Sequence, residues 1–322
     1  MDELYQAART ALKDCMGVRS HETVLVVADD KTQSIGVALF EVGKELSKEC
    51  VWIVMAERKV NGEEPPQAIA EMMKQFNVVV CPTAKSLTHT NARREACNAG
   101  ARVGTMPGIT EEVMIRTLKA DYHKIADRTD KVSEILDKGS EVHITTARGT
   151  NIRIPIKGIH AISSTGLVLE SGKFGNLPSG ESYLMPEEGK SNGIFIVDGS
   201  FASVGKIDKD PIKITVKNGF AEKIEGGTEA RLLDEILNPL GKKAYNIAEL
   251  GIGTNHEAII TGKILEDEKV MGTVHLALGN NKSMGGTCDV GIHLDGVILQ
   301  PTVSIDGIIL MQAGKFVAKN LW

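Results

Sequence analysis

Two histidines and three acidic residues of this chain have the types and spacing of a metal site. His293 and Asp295 lie two positions apart, and a strand turns alternate side chains to one face, so both could bind the same ion. His275 sits in an apolar run, where an imidazole needs a polar partner. Glu249 ends another apolar run, where a charge needs a counter-ion. Glu181 follows a loop with proline and glycine that could aim its carboxylate inward. Two divalent ions would satisfy this set.

The first third of the chain alternates short β-branched runs with amphipathic segments. This alternation predicts a parallel sheet with helices on both faces. The predicted strands are residues 23–28, 51–56, 77–81 and 101–105, and the predicted helices are residues 33–48, 66–76 and 90–99. The first strand is not followed by Gly-x-Gly-x-x-Gly, so the fingerprint of a dinucleotide-binding site is missing.

The pattern changes in the middle of the chain. A helical stretch over residues 110–137, with one break near Asp127, is followed mainly by strand patterns. Those strands are predicted at residues 141–146, 151–156, 193–197, 212–217, 246–252, 272–278, 290–299 and 302–310, with one helix at residues 228–237. The sequence therefore predicts an α/β domain over residues 1–137. A β-rich, barrel-like metal-binding domain of the α+β kind is predicted over residues 138–322.

Composition limits the possible partners. The net charge of −5 and the pI near 6.0 argue against a nucleic-acid surface, because phosphate binding needs clustered positive charge. We read no signal peptide and no membrane span, so we expect a soluble, cytoplasmic protein. The five cysteines form no Cys-x-x-Cys pair, which excludes the usual zinc-finger and thioredoxin spacings.

Four motifs in the C-terminal half resemble the aminopeptidase T family, also called the AmpS or thermophilic metalloprotease family. In chain order they are Asn-Leu-Pro-Ser-Gly-Glu at 176–181, Ala-Glu-Leu-Gly-Ile-Gly-Thr-Asn at 248–255, Glu-Asp-Glu-Lys at 266–269 with Gly-Thr-Val-His at 272–275, and Ile-His-Leu-Asp-Gly at 292–296. The resemblance implies an α/β domain followed by a β-rich domain, in a homodimer. It also implies that Glu181, Glu249, His275, His293 and Asp295 bind a pair of divalent ions, such as zinc, cobalt or manganese.

The resemblance implies a metallo-aminopeptidase, a hydrolase that removes the N-terminal residue from a peptide. Two metal ions would polarise the scissile carbonyl and activate a bridging water. Either Glu181 or Glu249 would carry the proton. Two features depart from the family: Lys282 stands where the family has a tyrosine at the metal centre, and the connection from His275 to His293 is short.

Two other functions stay open. The segment from Ser86 to Arg93 resembles one in hydroxypyridine ring-cleaving dioxygenases, in which a histidine of the first domain helps catalysis, and His89 would be its equivalent. Those enzymes hold one iron with two histidines and one aspartate, a set that His275, His293 and Asp295 could supply. The presence of both Glu181 and Glu249 favours the two-metal peptidase over this alternative. The third possibility is a metal-stabilised binding protein without activity.

His89, Lys282 and Asn255 are candidate cleft residues around the metal ions. The segment Glu266 to Lys269 is expected to be a solvated turn rather than part of the catalytic site.

Overall fold

The computed structural model describes residues 2–317, which form two compact units. The first unit contains the chain up to residue 126 together with residues 164–179, and the second contains residues 127–163 and the chain from residue 180 onward. The sequence predicted a single crossing between residues 137 and 138. Residues 164–179 return to the first unit because they supply an edge strand to its sheet.

Residues 2–317 form eight α-helices and twenty β-strands. The helices are α1 Glu3–Arg9, α2 Gln33–Leu46, α3 Gln67–Met73, α4 Asn91–Asn98, α5 Glu111–Thr117, α6 Tyr122–Lys138, α7 Thr228–Leu237 and α8 Ile264–Asp267, with a π-helical turn at Thr10–Cys15 and 3₁₀ turns at Asn238–Leu240, Lys242–Tyr245 and Lys282–Met284. The strands are β1 Thr23–Asp29, β2 Glu49–Met55, β3 Val78–Thr83, β4 Arg102–Pro107, β5 Glu141–Thr145, β6 Asn151–Pro155, β7 Ile162–Ser164, β8 Phe174–Asn176, β9 Glu181–Leu184, β10 Asn192–Val197, β11 Ser200–Phe201, β12 Gly205–Lys206, β13 Ile212–Lys217, β14 Phe220–Glu225, β15 Ile247–Gly253, β16 Val274–Gly279, β17 His293–Ile298, β18 Thr302–Ile305, β19 Ile308–Gln312 and β20 Lys315–Phe316.

The first unit is built on a parallel sheet with the strand order β2-β1-β3-β4-β8. Its central strands are continuous apolar runs because helices cover such sheets on both faces. The predicted break near Asp127 is wrong. The helical stretch is interrupted at residues 118–121, where the Asp121 carboxylate accepts hydrogen bonds from the backbone N–H groups of His123 and Lys124 and thereby begins α6.

The second unit contains two antiparallel sheets that share one apolar core. Their strand orders are β14-β13-β10-β6-β5-β18-β19-β20 and β12-β11-β17-β16-β15-β9-β7. Ile144 and Phe195 from the first of these sheets belong to the same buried cluster as Leu250 and Leu276 from the second. The predicted fold class, a parallel-sheet α/β domain followed by a β-rich domain, is confirmed.

The segment predicted as one strand over residues 302–310 is a hairpin, so that prediction is wrong. Asp306 and Gly307 take positive φ angles of 50° and 82°, the conformation that a two-residue hairpin turn requires. The Asp306 carboxylate also accepts hydrogen bonds from the backbone N–H groups of Ser140 and Glu141. Within residues 2–317, we find no helix with the length and apolar character needed to cross a membrane.

Candidate metal centre

One face of four neighbouring strands, β9, β15, β16 and β17, carries the predicted metal ligands. Asp295 lies opposite Ala277, and His275 lies opposite Gly251, which in turn lies opposite Tyr183. Leu294 points to the other face and joins the apolar core. The alternation inferred from the spacing of His293 and Asp295 is therefore present in β17.

A β-bulge places Glu249 on this face. The register between β15 and β16 shifts between Ile247 and Glu249, so that Ile247 lies opposite Leu278 and Glu249 lies opposite Ala277. In a regular strand, residues two apart share a face. Here Ile247 packs in the apolar core while Glu249 joins the ligand cluster. The extra residue of the bulge thus redirects one carboxylate.

Gly251 makes room for the imidazole of His275. A Cβ atom at position 251 would lie 2.0 Å from His275 Nε2 and 2.2 Å from its Cε1, far inside van der Waals contact. Because β15 and β16 pair directly at this point, the backbone cannot move away, and the imidazole itself would have to leave its position. The glycine is therefore required for His275 to lie against the sheet.

The ligand atoms converge around Glu249. Its Oε1 lies 3.2 Å from His275 Nε2, and its Oε2 lies 3.4 Å from His293 Nε2. His293 Nε2 also lies 3.4 Å from Asp295 Oδ1. Three overlapping sets of side chains bring ligand atoms within 4.8 Å of one another: Glu181 with Glu249 and His275, Glu249 with His293 and Asp295, and Glu268 with His275 and Asp295.

The electrostatic potential at the cluster favours cations. Burial by itself lowers the pKa of His275, but the carboxylates of Glu249, Glu181 and Asp295 outweigh it and raise that pKa to about 9. Burial raises the pKa of Asp295, yet the neighbouring His293 outweighs this effect and holds the pKa well below its usual range. A field that binds protons this strongly also favours a metal cation at the same atoms.

A backbone hydrogen bond fixes the orientation of His293. Its Nδ1 lies 2.7 Å from the carbonyl oxygen of Asn280, and a carbonyl only accepts, so Nδ1 carries the proton. Nε2 then faces Glu249 and Asp295, where a metal ion would displace its proton. The side chain of His293 is 32% exposed, which leaves this side of the cluster open to a small molecule.

The loop that carries Asn280 is held by Glu188. The Glu188 carboxylate accepts hydrogen bonds from Asn281 Nδ2 and the Thr287 backbone N–H, both at 2.8 Å. Sequence reasoning did not single out this residue, because its partners lie about 100 positions away.

Lys269 and Glu268 are residues of the cluster that the sequence analysis missed, and the expected solvated turn at Glu266 to Lys269 is wrong. Lys269 is completely buried, and its Nζ donates to Glu181 Oε1 at 2.5 Å and to Glu268 Oε1. Burial alone lowers the pKa of Lys269, but the Glu181 and Glu268 carboxylates outweigh it and raise the pKa above its usual range. The ammonium group is therefore a fixed positive charge.

The candidate cleft residues lie in different surroundings. Asn255 is completely buried, and its backbone forms hydrogen bonds with Lys269 and Met271, so it holds the segment that carries the lysine. Lys282 is exposed and forms an ion pair with Asp289 at 2.7 Å within its own loop. His89 is exposed just before α4 in the first unit. The involvement of these side chains in chemistry stays a prediction.

The residues present fit a metal ion. Three polar atoms of the cluster are buried without a hydrogen-bond partner: Glu181 Oε2, His275 Nδ1 and Asp295 Oδ1. Buried polar atoms are rarely left unpaired, and a metal ion would satisfy the carboxylate oxygens. Two imidazoles and one carboxylate from His275, His293 and Asp295 also form the donor set that suits non-haem iron(II).

Comparisons with known proteins identify the relatives of this chain. The family described as "NicX: 2,5-dihydroxypyridine 5,6-dioxygenase" matches residues 3–318. A curated 2,5-dihydroxypyridine 5,6-dioxygenase from Pseudomonas putida is 23% identical over 249 residues, which cover 72% of this chain and 69% of that protein.

Two solved structures share the fold. The 2,5-dihydroxypyridine dioxygenase of Pseudomonas putida KT2440 superimposes with a TM-score of 0.85 and 19% identity over the full length of both chains. AmpT from Thermus thermophilus gives a TM-score of 0.69 at 15% identity, covering 98% of this chain and 99% of that one. The resemblance to the aminopeptidase T family is therefore supported at the level of the fold.

These findings overturn the interpretation of the chain as an aminopeptidase, a protease or any other hydrolase. Glu181 and Glu249 had favoured two metal ions over one, but Glu181 is paired with the buried ammonium of Lys269. The extra carboxylate has a counter-ion in the chain itself, so it does not require a second metal. With a match over nearly its whole length, the chain belongs to the family of 2,5-dihydroxypyridine 5,6-dioxygenases.

Proposed function

We propose that this protein is an iron-dependent dioxygenase that cleaves the ring of a dihydroxylated pyridine, with 2,5-dihydroxypyridine as the first substrate to test. The observation that carries the proposal is the family match over residues 3–318. Three residues of β16 and β17 support it. Asp295 shares one candidate ligand set with His275 and another with His293, and His293 is partly exposed, so the three residues could provide two imidazoles and one carboxylate to an iron ion.

Cleavage of the ring by O₂ needs no reductant other than the substrate itself. Both atoms of O₂ add to ring carbons 5 and 6 while the bond between these carbons breaks. The hydroxyl-bearing carbon becomes a carboxyl group, and its neighbour becomes a formyl group on the ring nitrogen. The four electrons that O₂ requires come from the ring. Iron(II), when bound, would supply the one-electron chemistry that couples O₂ to the substrate.

The chain's own residues hold and orient the reacting groups. His275 Nε2 and His293 Nε2 point to the same carboxylate, Glu249, from neighbouring strands. Glu249 can accept a proton from a substrate hydroxyl, because it lies between the two imidazoles at the partly exposed side of the cluster. We also propose a homodimer as the assembly, and participation of His89, on the basis of the resemblances described above.

Oxygen uptake tests this proposal. Protein reconstituted with iron(II) under anaerobic conditions should consume one O₂ per 2,5-dihydroxypyridine, and with ¹⁸O₂ the product should be heavier than the substrate by two ¹⁸O atoms. Lys138→Ala serves as the matched control, because this side chain is exposed and pairs with Glu134 one turn earlier in α6. Iron-loaded protein that takes up no O₂ with this substrate would refute the proposed reaction.

A further inference from the structure

The ligand cluster contains more carboxylates than a single metal ion needs. Glu181, Glu249, Glu268 and Asp295 all take part in the three overlapping sets of candidate ligands. Two of these sets share Glu249 and place it between different partners, so the side chains alone outline more than one position for a cation. If the centre binds a single metal ion, some feature of the protein must keep cations out of the other positions.

Lys269 supplies that reason. Its ammonium group binds one oxygen of Glu181 and one of Glu268, the two carboxylates that share no candidate ligand set with His293. A carboxylate oxygen that accepts from an ammonium is a weaker ligand, and the fixed positive charge repels a second cation at close range. Glu249 and Asp295, which face the two histidines, remain available.

The position of Lys269 is enforced by the fold. The lysine follows α8, and its backbone carbonyl accepts the Asn255 N–H at 2.9 Å. The Asp267 carboxylate accepts from the backbone N–H groups of Thr261 and Gly262 at 2.7 and 2.8 Å. Lys269 is completely buried, so its ammonium group cannot reach solvent while these bonds hold the segment in place.

We propose that the buried Lys269 ammonium acts as a built-in cation that limits this centre to one metal ion by neutralising Glu181 and Glu268. This inference rests on the proposed function only for the identity of the metal, since it concerns the number of ions that the cluster accepts. It predicts that removing the positive charge creates a second cation site between Glu181 and Glu268, where the ammonium group lies.

Manganese(II) is the probe for the test, because it accepts carboxylate and imidazole ligands and reports its neighbours by electron paramagnetic resonance. The full-length protein should bind one Mn²⁺ per chain, with the six-line spectrum of an isolated ion. Lys269→Asn should bind two, with a spin-coupled spectrum. Lys269→Arg, which keeps the charge, and the double variant Glu181→Gln/Lys269→Asn, which removes both partners, should each bind one.

Two results would overturn the inference: two coupled ions in the unaltered protein, or a folded Lys269→Asn variant that still binds one ion at millimolar Mn²⁺. If Lys269→Asn does not fold alone, its thermal unfolding is measured over a Mn²⁺ series. The inference requires that Mn²⁺ restore folding, and a lack of rescue contradicts it. Absence of oxygen uptake together with a single bound ion would refute the proposed function and leave this inference standing.

Discussion

The two units of this protein each bury a group of charged side chains, and the two groups differ in how completely their atoms are paired. In the first unit, Arg102 donates to both oxygens of Glu22 at 2.9 and 2.7 Å, and its Nε donates to the Met16 carbonyl. In the second unit, Glu181 and Asp295 each keep a buried oxygen without a hydrogen-bond partner. The first group is complete by itself, whereas the second needs a cation.

The comparison separates a structural ion pair from a binding site. A buried pair with matched charges and satisfied donors holds the chain together, although it contributes less than its Coulomb energy because both ions were desolvated. A cluster with surplus carboxylates and unpaired atoms is costly to the fold and is typical of a site that a ligand completes. The following changes should affect one group without the other.

The largest effect is expected from filling the space beside His275. Gly251→Ala places a Cβ 2.0 Å from His275 Nε2, so the imidazole must leave its position, and the affinity for iron should fall by more than about 100-fold. Gly291→Ala is the matched control, because a Cβ there meets no heavy atom within 4 Å. Iron content measured after gel filtration distinguishes the two variants. Full occupancy in Gly251→Ala would show that His275 is not a ligand.

The second change removes the charge of Glu22 in the Glu22–Arg102 ion pair of the first unit. Glu22→Gln leaves Arg102 buried without its counter-ion, and such a loss costs about 3–5 kcal/mol in the free energy of unfolding. Urea denaturation checks this value. Iron bound per folded chain should remain unchanged. A variant with unaltered stability would mean that the Glu22–Arg102 pair is not a structural element.

The pH dependence of the unfolding free energy tests the same Glu22–Arg102 ion pair. Burial alone raises the pKa of Glu22, but the hydrogen bond from Arg102, with the other bonds and charges around the carboxylate, outweighs it and lowers the pKa below the usual 4.5. The pair therefore contributes stability above pH 4.5 that is lost as the pH falls through the lowered pKa. The difference in unfolding free energy between the wild type and Glu22→Gln should be constant near neutral pH and shrink in acid. A difference that grows in acid would contradict this assignment.

The smallest effect on iron affinity is expected from a change at Glu188, which holds the loop that orients His293. Glu188→Gln weakens the hydrogen bonds that hold Asn281 and Thr287, so the loop that positions the Asn280 carbonyl becomes less ordered. The affinity for iron should fall by about tenfold, at the lower end of what residues behind ligands contribute. Glu187→Gln is the control, because Glu187 pairs with the exposed Lys190 instead. Equal iron affinity in both variants would exclude a positioning role for Glu188.

Much of the fold could be predicted from the sequence, because its elements have local signals. β1 and β3 are continuous runs of valine and other apolar residues, and their predicted limits agree with the structure to within two residues. The ligands on β17 could be predicted because strand alternation depends on spacing alone. The hairpin at Asp306 and Gly307 was missed although Asp-Gly between two apolar runs is itself a local hairpin signal.

The charge balance of the site could not be predicted. Lys269 meets Glu181 across 88 positions of the chain, and no local pattern reports a pairing over that distance. The bulge before Glu249 likewise depends on the register between two strands rather than on the residues of one. The sequence therefore indicated a candidate metal site and residues that the structure brings together there, but it could not show that Glu181 is paired with a lysine of the same chain.

The central claim is a single iron held by His275, His293 and Asp295, with Lys269 in place of a second cation. Anomalous diffraction at the iron edge, from crystals reconstituted anaerobically with iron(II), tests it most directly. The account predicts one peak per chain, adjacent to the two Nε2 atoms and the Asp295 carboxylate. Two peaks in one chain, or one peak between Glu181 and Glu268, would contradict it.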